Sequence, residues 1–254
     1  MLRCTVENIS LERNHDFKLC IPSLEVCTKG HNAITKLPLM GKSGAGKSTL
    51  LNLMAAVEWP DTGGISWEFP DRDAPITWSK NGPSPAQVRL LRRRYFGFAF
   101  QDSTLLTHMS VRENLSYPLI LNGLPPCQAY EAAWNALDRV LLDDERSYKN
   151  ELFRQFPSKL SGGQRQRTAL VQAMIHNPCV LFADEPTGSL DRATRKQVMQ
   201  SLYNWVDDQR YCGKRLLLWV THHENDPCDA GAQWILKVDS GSHTLLPFNC
   251  HETQ

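Results

Sequence analysis

Along this chain the apolar positions follow two regimes, short runs with the period of a strand and longer ones with the period of a helix. Alternation in Arg3-Cys4-Thr5-Val6 and Phe17-Lys18-Leu19-Cys20-Ile21 predicts two short strands, the second ending before Pro22. Ala33 to Met40 reads as a buried strand in which Pro38 is awkward, because proline removes a ladder donor. Trp59 to Gly64 reads as a turn into a strand at Ile65 to Phe69, and the Pro-, Asp-, Asn- and Ser-rich stretch 70–85 as an outward loop. A helix beginning near Thr49 gains an apolar face from Leu50, Leu51, Leu53 and Met54.

Gln87 to Arg94 reads as a solvated helix carrying Arg89, Arg92, Arg93 and Arg94, leading into an apolar strand from Tyr95 to Phe100. From Val111 to about Leu142 the pattern is helical, broken at Gly123-Leu124-Pro125-Pro126. Its second half sets Ala132, Ala133, Ala136, Leu137, Val140 and Leu141 at helical spacing. Helices then alternate with continuous apolar runs at 180–183, 216–220 and 234–238, which suit strands buried on both faces of a parallel α/β sheet.

Composition narrows the picture. The 254 residues suffice for one large domain or two modest ones. A net charge of +1 argues against a dedicated nucleic-acid binder. No apolar run reaches the ~18 residues of a membrane span, and the N-terminal residues lack the layout of a signal peptide. The eight cysteines, at 4, 20, 27, 127, 179, 212, 228 and 250, contain no C-x-x-C pair and are expected to be reduced thiols.

Chemistry concentrates in three places. Gly41-Lys42-Ser43-Gly44-Ala45-Gly46-Lys47-Ser48-Thr49 fits G-x-x-x-x-G-K-[ST], whose glycines let backbone N–H groups fold around the phosphates of a nucleoside triphosphate. Lys47 would reach the β- and γ-phosphates, Ser48 would ligate Mg²⁺, and the following helix would aim its positive end at the anion. Leu160-Ser161-Gly162-Gly163-Gln164 opens a second helix with an anion-receptive start, although a plain helix cap has the same look. Val180 to Glu185 is an apolar strand ending in two carboxylates, of which Asp184 would hold Mg²⁺ and Glu185 would polarise the attacking water. The tight loop Pro186 to Asp191 follows, and further on His222 ends a buried strand where it could touch the γ-phosphate.

From Gly41 to Gly241 the order and spacing of the phosphate loop, Gln101, Leu160 to Gln164, Asp184-Glu185, Asp191 and His222 resemble the nucleotide-binding subunit of an ABC transporter. Gly97 to Gln101, Val111 to Leu115, Tyr117-Pro118-Leu119 and Asp184 to Asp191 resemble the branch of lipoprotein-release, macrolide-efflux and cell-division ATPases. The resemblance implies an α/β fold: a P-loop core with an N-terminal antiparallel β subdomain and a helical subdomain inserted at about 102–163, all within one nucleotide-binding domain over 1–254. It also implies ATP and Mg²⁺ as cofactors. Lys47, Glu185, His222 and Gln101 would be catalytic, and Gln101 would join Ser48 and Asp184 at the metal. Gly41, Ser43 to Thr49, Ser161 to Gln164 and Asp191 would contact nucleotide, with Ser161 and Gly163 closing on the γ-phosphate of an opposite subunit.

The implied assembly is a homodimer or pseudo-dimer working with a separate membrane permease at the cytoplasmic face of the inner membrane. That permease would dock near 101–124, where Leu105, Leu106 and Met109 could receive a helix. No nucleic-acid partner is expected; the competing possibility, a soluble ABC-type ATPase acting on nucleic acid or ribosomes, lacks its usual coiled coil or second nucleotide domain. The family's adenine-stacking aromatic aligns near Arg13, with Phe17 the nearest aromatic substitute, so adenine could rest on Phe17, on the guanidinium plane, or on neither.

Overall fold

A computed structural model describes residues 1–13, 17–100, 104–138, 140–188, 190–239 and 241–250. The chain divides into two compact units, one formed by Met1–Leu91 with the chain from Val206 onward, the other by Arg92–Trp205.

The first unit opens with two strands longer than the sequence predicts, β1 (Arg3–Arg13) and β2 (Phe17–Cys27), paired antiparallel from Arg3 opposite Cys27 to Arg13 opposite Phe17. Pro22 does not end β2. The ladder passes from Glu7–Ser23 to Ile9–Ile21 without a change of register, and Pro22 falls at the unpaired step between them, opposite Asn8, which takes a left-handed φ of 49°. The strand β3 (Lys36–Met40) leads into the helix α1 (Lys47–Met54). β4 (Thr62–Glu68) and β5 (Ile76–Trp78) complete an antiparallel sheet in the order β2-β1-β4-β5. The short helix α2 (Pro85–Leu90) starts from a Ser84–Gln87 capping box and gives way to a π-helical turn over Leu91–Tyr95, where the sequence predicts a continuous helix.

The second unit contains β6 (Phe96–Phe100), α3 (Val111–Leu121), α4 (Pro126–Leu137), α5 (Lys149–Arg154), α6 (Gly162–Met174), β7 (Val180–Asp184) and most of α7 (Arg192–Val206). β6 and β7 pair in parallel, and the rings of Phe96 and Phe182 meet edge to face at 5.0 Å. Leu105, Val111, Leu115, Ala133, Leu137, Leu152, Phe153 and Leu160 form a helical core. α4 stops at Leu137, short of the expected Leu142, yet Val140 and Leu141 still bury themselves against that core.

The chain returns to the first unit with β8 (Leu216–Val220), α8 (Asp226–Ala230), β9 (Trp234–Asp239) and β10 (Ser242–Pro247). β3 lies between β8 and β9, parallel to both, and β10 pairs antiparallel with β9. Pro38 fits because the carbonyls of Thr35 and Leu39 accept from Leu217 of β8 and from Thr221 just after it, which turns the amide position of residue 38 to the other side, where β9 begins to pair only at Leu39. One expectation about the cysteines is corrected. Cys228 on α8 and Cys250 form a disulfide, their Cα atoms brought to 5.2 Å, a separation this bond requires; the other six are thiols. No helix among the described residues is long and apolar enough to cross a membrane.

Candidate functional site

The phosphate loop joins β3 to α1 and is built by its glycines. Gly41 has φ 145°, and a Cβ there would stand 1.9 Å from the carbonyl oxygen of Val238, so the loop leaves β3 pressed against β9. Gly46 caps α1 in the left-handed region at φ 103°. Lys47 is buried, and its ammonium folds across the loop to donate to the carbonyls of Gly41 at 2.9 Å and Lys42 at 2.7 Å. Ser43, Gly44 and Ser48 are exposed on the loop's open side, while Ala45 is buried and Thr49 half-buried. Backbone N–H groups, a buried ammonium and a helix N-terminus together form a cradle for a polyphosphate.

Phe17, at the start of β2, packs on this loop: its ring Cζ would lie 3.0 Å from a Cβ placed on Gly46. Arg13 is drawn away into an ion pair with Glu58.

His222 follows β8 in the same unit and is exposed. The Thr221 hydroxyl donates to the Asp226 carboxylate and accepts the His223 N–H, which accounts for His223 as part of a turn.

In the second unit Ser161 and Gln164 make a reciprocal capping box, with the Ser161 hydroxyl accepting the Gln164 N–H at 3.2 Å and the Gln164 side chain accepting the Ser161 N–H at 3.0 Å. The cap leaves Ser161 and Gly162 exposed at the helix start, and Gly163 half-buried. β7 delivers Asp184 and Glu185, both half-buried. Glu185 adopts φ 46°, a left-handed conformation rare outside glycine, and its carbonyl accepts the Gly188 N–H at 3.1 Å. Asp191 caps α7, accepting the Thr194 N–H at 3.1 Å and the Thr194 hydroxyl at 2.6 Å.

Gln101 lies outside the described residues. Just after it, Leu105 belongs to the helical core and leaves the set of surface candidates; Leu106 is exposed and Met109 half-buried. Their loop is organised by a residue that sequence reasoning passed over. The buried Asn114 side chain accepts the Leu106 N–H at 2.7 Å and donates to the carbonyls of Leu106 at 3.0 Å and Met109 at 2.9 Å. Gln166 was also missed: its amide donates to the carbonyls of Phe100 at 3.0 Å and Pro186 at 2.7 Å. Nothing in the local sequence marks either side chain, because each acts on carbonyls supplied by other segments.

Known proteins match this chain in sequence and in fold. The model of the ABC transporter family matches residues 31–188. The lipoprotein-releasing system ATP-binding protein LolD of Hydrogenovibrio crunogenus is 34% identical over 239 residues, which cover 94% of each chain. The macrolide export ATP-binding/permease protein MacB of Syntrophobacter fumaroxidans is 37% identical over 206 residues, 80% of this chain and 26% of MacB. In fold, the chain is similar to the dimeric structure of MJ0796, a bacterial ABC transporter cassette, with TM-score 0.76, 25% identity, and coverage of 97% of this chain and 99% of that one. Motifs, fold and family match agree: the chain belongs to the ABC transporter family, as an ATP-binding ATPase subunit of the branch that includes the lipoprotein-release and macrolide-export systems.

Proposed function

We propose that this subunit hydrolyses ATP in a closed dimer and passes the resulting motion to a separate membrane subunit. The observation that carries this reading is the phosphate loop with the Lys47 ammonium folded across it. The loop from Gly41 through Ser43, Gly44, Ala45 and Gly46 to Thr49 wraps the phosphates, and Lys47 moves from the loop carbonyls to the β- and γ-phosphates.

Ser48, Asp184 and Gln101 offer only oxygen donors, which fit a hard cation such as Mg²⁺. When bound, Mg²⁺ supplies neutralisation of the charge that builds on the phosphate oxygens. Glu185 accepts the proton of the attacking water, and His222 contacts the γ-phosphate. Ser161 and Gly163, with Gly162 and Gln164 around them, complete the site on the nucleotide held by a second copy, and Asp191 links the two sites. Separation after hydrolysis then converts binding energy into movement.

The whole of 1–254 acts as one nucleotide-binding domain whose helical part, about 102–163, receives the membrane subunit. Leu106, with Tyr117 and Leu121 exposed on α3, supports docking there. The subunit is peripheral, at the cytoplasmic face of the membrane, and its likeness to LolD and MacB supports work on lipoproteins or export as the output.

The test is purification of the Glu185→Gln chain from its native cells in detergent with ATP and Mg²⁺, with co-purifying proteins identified by mass spectrometry. A multi-span membrane protein is the expected companion. Ribosomal proteins or nucleic acid in its place would overturn the reading.

A further inference from the structure

Gln166 lies in the second turn of α6 and is buried. Its two amide hydrogens go to two different segments, one to the carbonyl of Phe100, the last residue of β6, and one to the carbonyl of Pro186, the residue after Glu185. A planar amide has both donors on a single nitrogen, so the two carbonyls are held at a fixed spacing.

The backbone at this point is unusual. Glu185 is a non-glycine residue at φ 46°, a conformation that persists only where the surroundings over-determine it. The Gly188 N–H closes one side of the turn onto the Glu185 carbonyl, and Gln166 fixes the carbonyl of the next residue. Pro186 adds a locked φ of its own. Release of the Gln166 bond would leave the turn free to relax and re-aim the Glu185 carboxylate.

We propose that Gln166 is a positioning residue for hydrolysis: its amide ties the Glu185 turn to the end of β6, so that α6, β6 and Glu185 move as one piece. The proposal rests on the reading of Glu185 as the residue that activates water. A role confined to satisfying two buried carbonyls would lower stability and leave turnover per folded molecule unchanged.

The experiment compares purified full-length wild type, Gln166→Met, Gln166→Glu and Glu185→Gln. Gln166→Met keeps the length of the side chain and removes both donors; Gln166→Glu keeps the shape and offers acceptors. Steady-state ATPase activity is read beside the affinity for a fluorescent ATP analogue, with the folded fraction set by circular dichroism. The expected result for both Gln166 variants is a kcat lower by roughly tenfold to a hundredfold, the scale of a misplaced reacting group, with nucleotide affinity within about twofold of wild type. A folded variant with wild-type kcat, or one that loses affinity and kcat in equal measure, overturns the proposal. Should Gln166→Met fail to fold, Gln166→Glu is judged by the same criteria. If Glu185→Gln itself turns over ATP at the wild-type rate, the Glu185 reading fails and this proposal with it; if Glu185→Gln is inactive and the Gln166 variants are normal, the proposal alone fails.

Discussion

The Thr221 hydroxyl donates a 2.5 Å hydrogen bond to the buried Asp226 carboxylate, closing the turn that carries His222. The same oxygen accepts the His223 N–H at 3.1 Å, and the Thr221 N–H donates to the Leu39 carbonyl at 3.2 Å, two residues before Gly41. His222 is thus tied through its neighbours to the strand that feeds the phosphate loop. Thr221→Val keeps the shape and deletes the hydroxyl, so the bond to the buried carboxylate and the bond from the His223 N–H are both lost, the first alone at a cost of about 1–3 kcal/mol. The expected outcome is a lower melting temperature and a kcat that falls further than ATP affinity does, with Thr221→Ser restoring both. Equal kcat in folded Thr221→Val and wild type would separate the pair from catalysis.

If either Phe17 or Arg13 stacks the adenine, their surroundings favour Phe17. The ring of Phe17 rests on Gly46 of the phosphate loop, whereas the Arg13 guanidinium is engaged by Glu58. Stacking of a base on an aromatic ring contributes about 1–3 kcal/mol. Phe17→Ala is therefore expected to weaken ATP binding by roughly five- to a hundredfold, while Arg13→Ala has a smaller effect. Titration of both variants by isothermal calorimetry decides the order, and a larger loss in Arg13→Ala would reverse the assignment.

His176 gives the second unit a pH dependence. Burial is the main cause that pulls its pKa below the ordinary 6.5, opposed by the bond between its Nε2 and the Phe96 carbonyl at 3.0 Å. Because the folded state binds the proton less tightly than the unfolded chain, this contribution is complete above pH 6.5 and is lost as the pH falls toward the folded pKa. The slope from this one group cannot exceed about 1.4 kcal/mol per pH unit. Melting curves from pH 7.5 down to 5 should fall more steeply for wild type than for His176→Gln, which keeps a donor and does not titrate. Parallel curves would exclude His176 as the source.

The phosphate loop was legible because its demand is local: Gly41 and Gly46 stand where the backbone takes positive φ, and Lys47 follows at once. The start of α6 was legible for the same reason, since Ser161 and Gln164 cap their own helix. Prolines were harder to read. Pro22 looks like a strand end until Asn8, fourteen positions earlier, is seen to leave the pairing opposite it at a left-handed φ. The tertiary ties were not legible at all. Gln166 finds carbonyls 66 and 20 residues away, and Cys228 finds Cys250 across 22 residues, in both cases because strands and helices between them fold back.

The central claim, that two copies close on ATP and reopen through Glu185, is tested most directly by light scattering on size-exclusion fractions of wild type and Glu185→Gln after addition of ATP and Mg²⁺, with phosphate release followed in parallel. The account predicts a lasting dimer for Glu185→Gln with almost no phosphate released, and a wild type that returns to monomer as ATP is consumed. Phosphate release by Glu185→Gln at the wild-type rate, or a Glu185→Gln chain that binds ATP and stays monomeric, would contradict it.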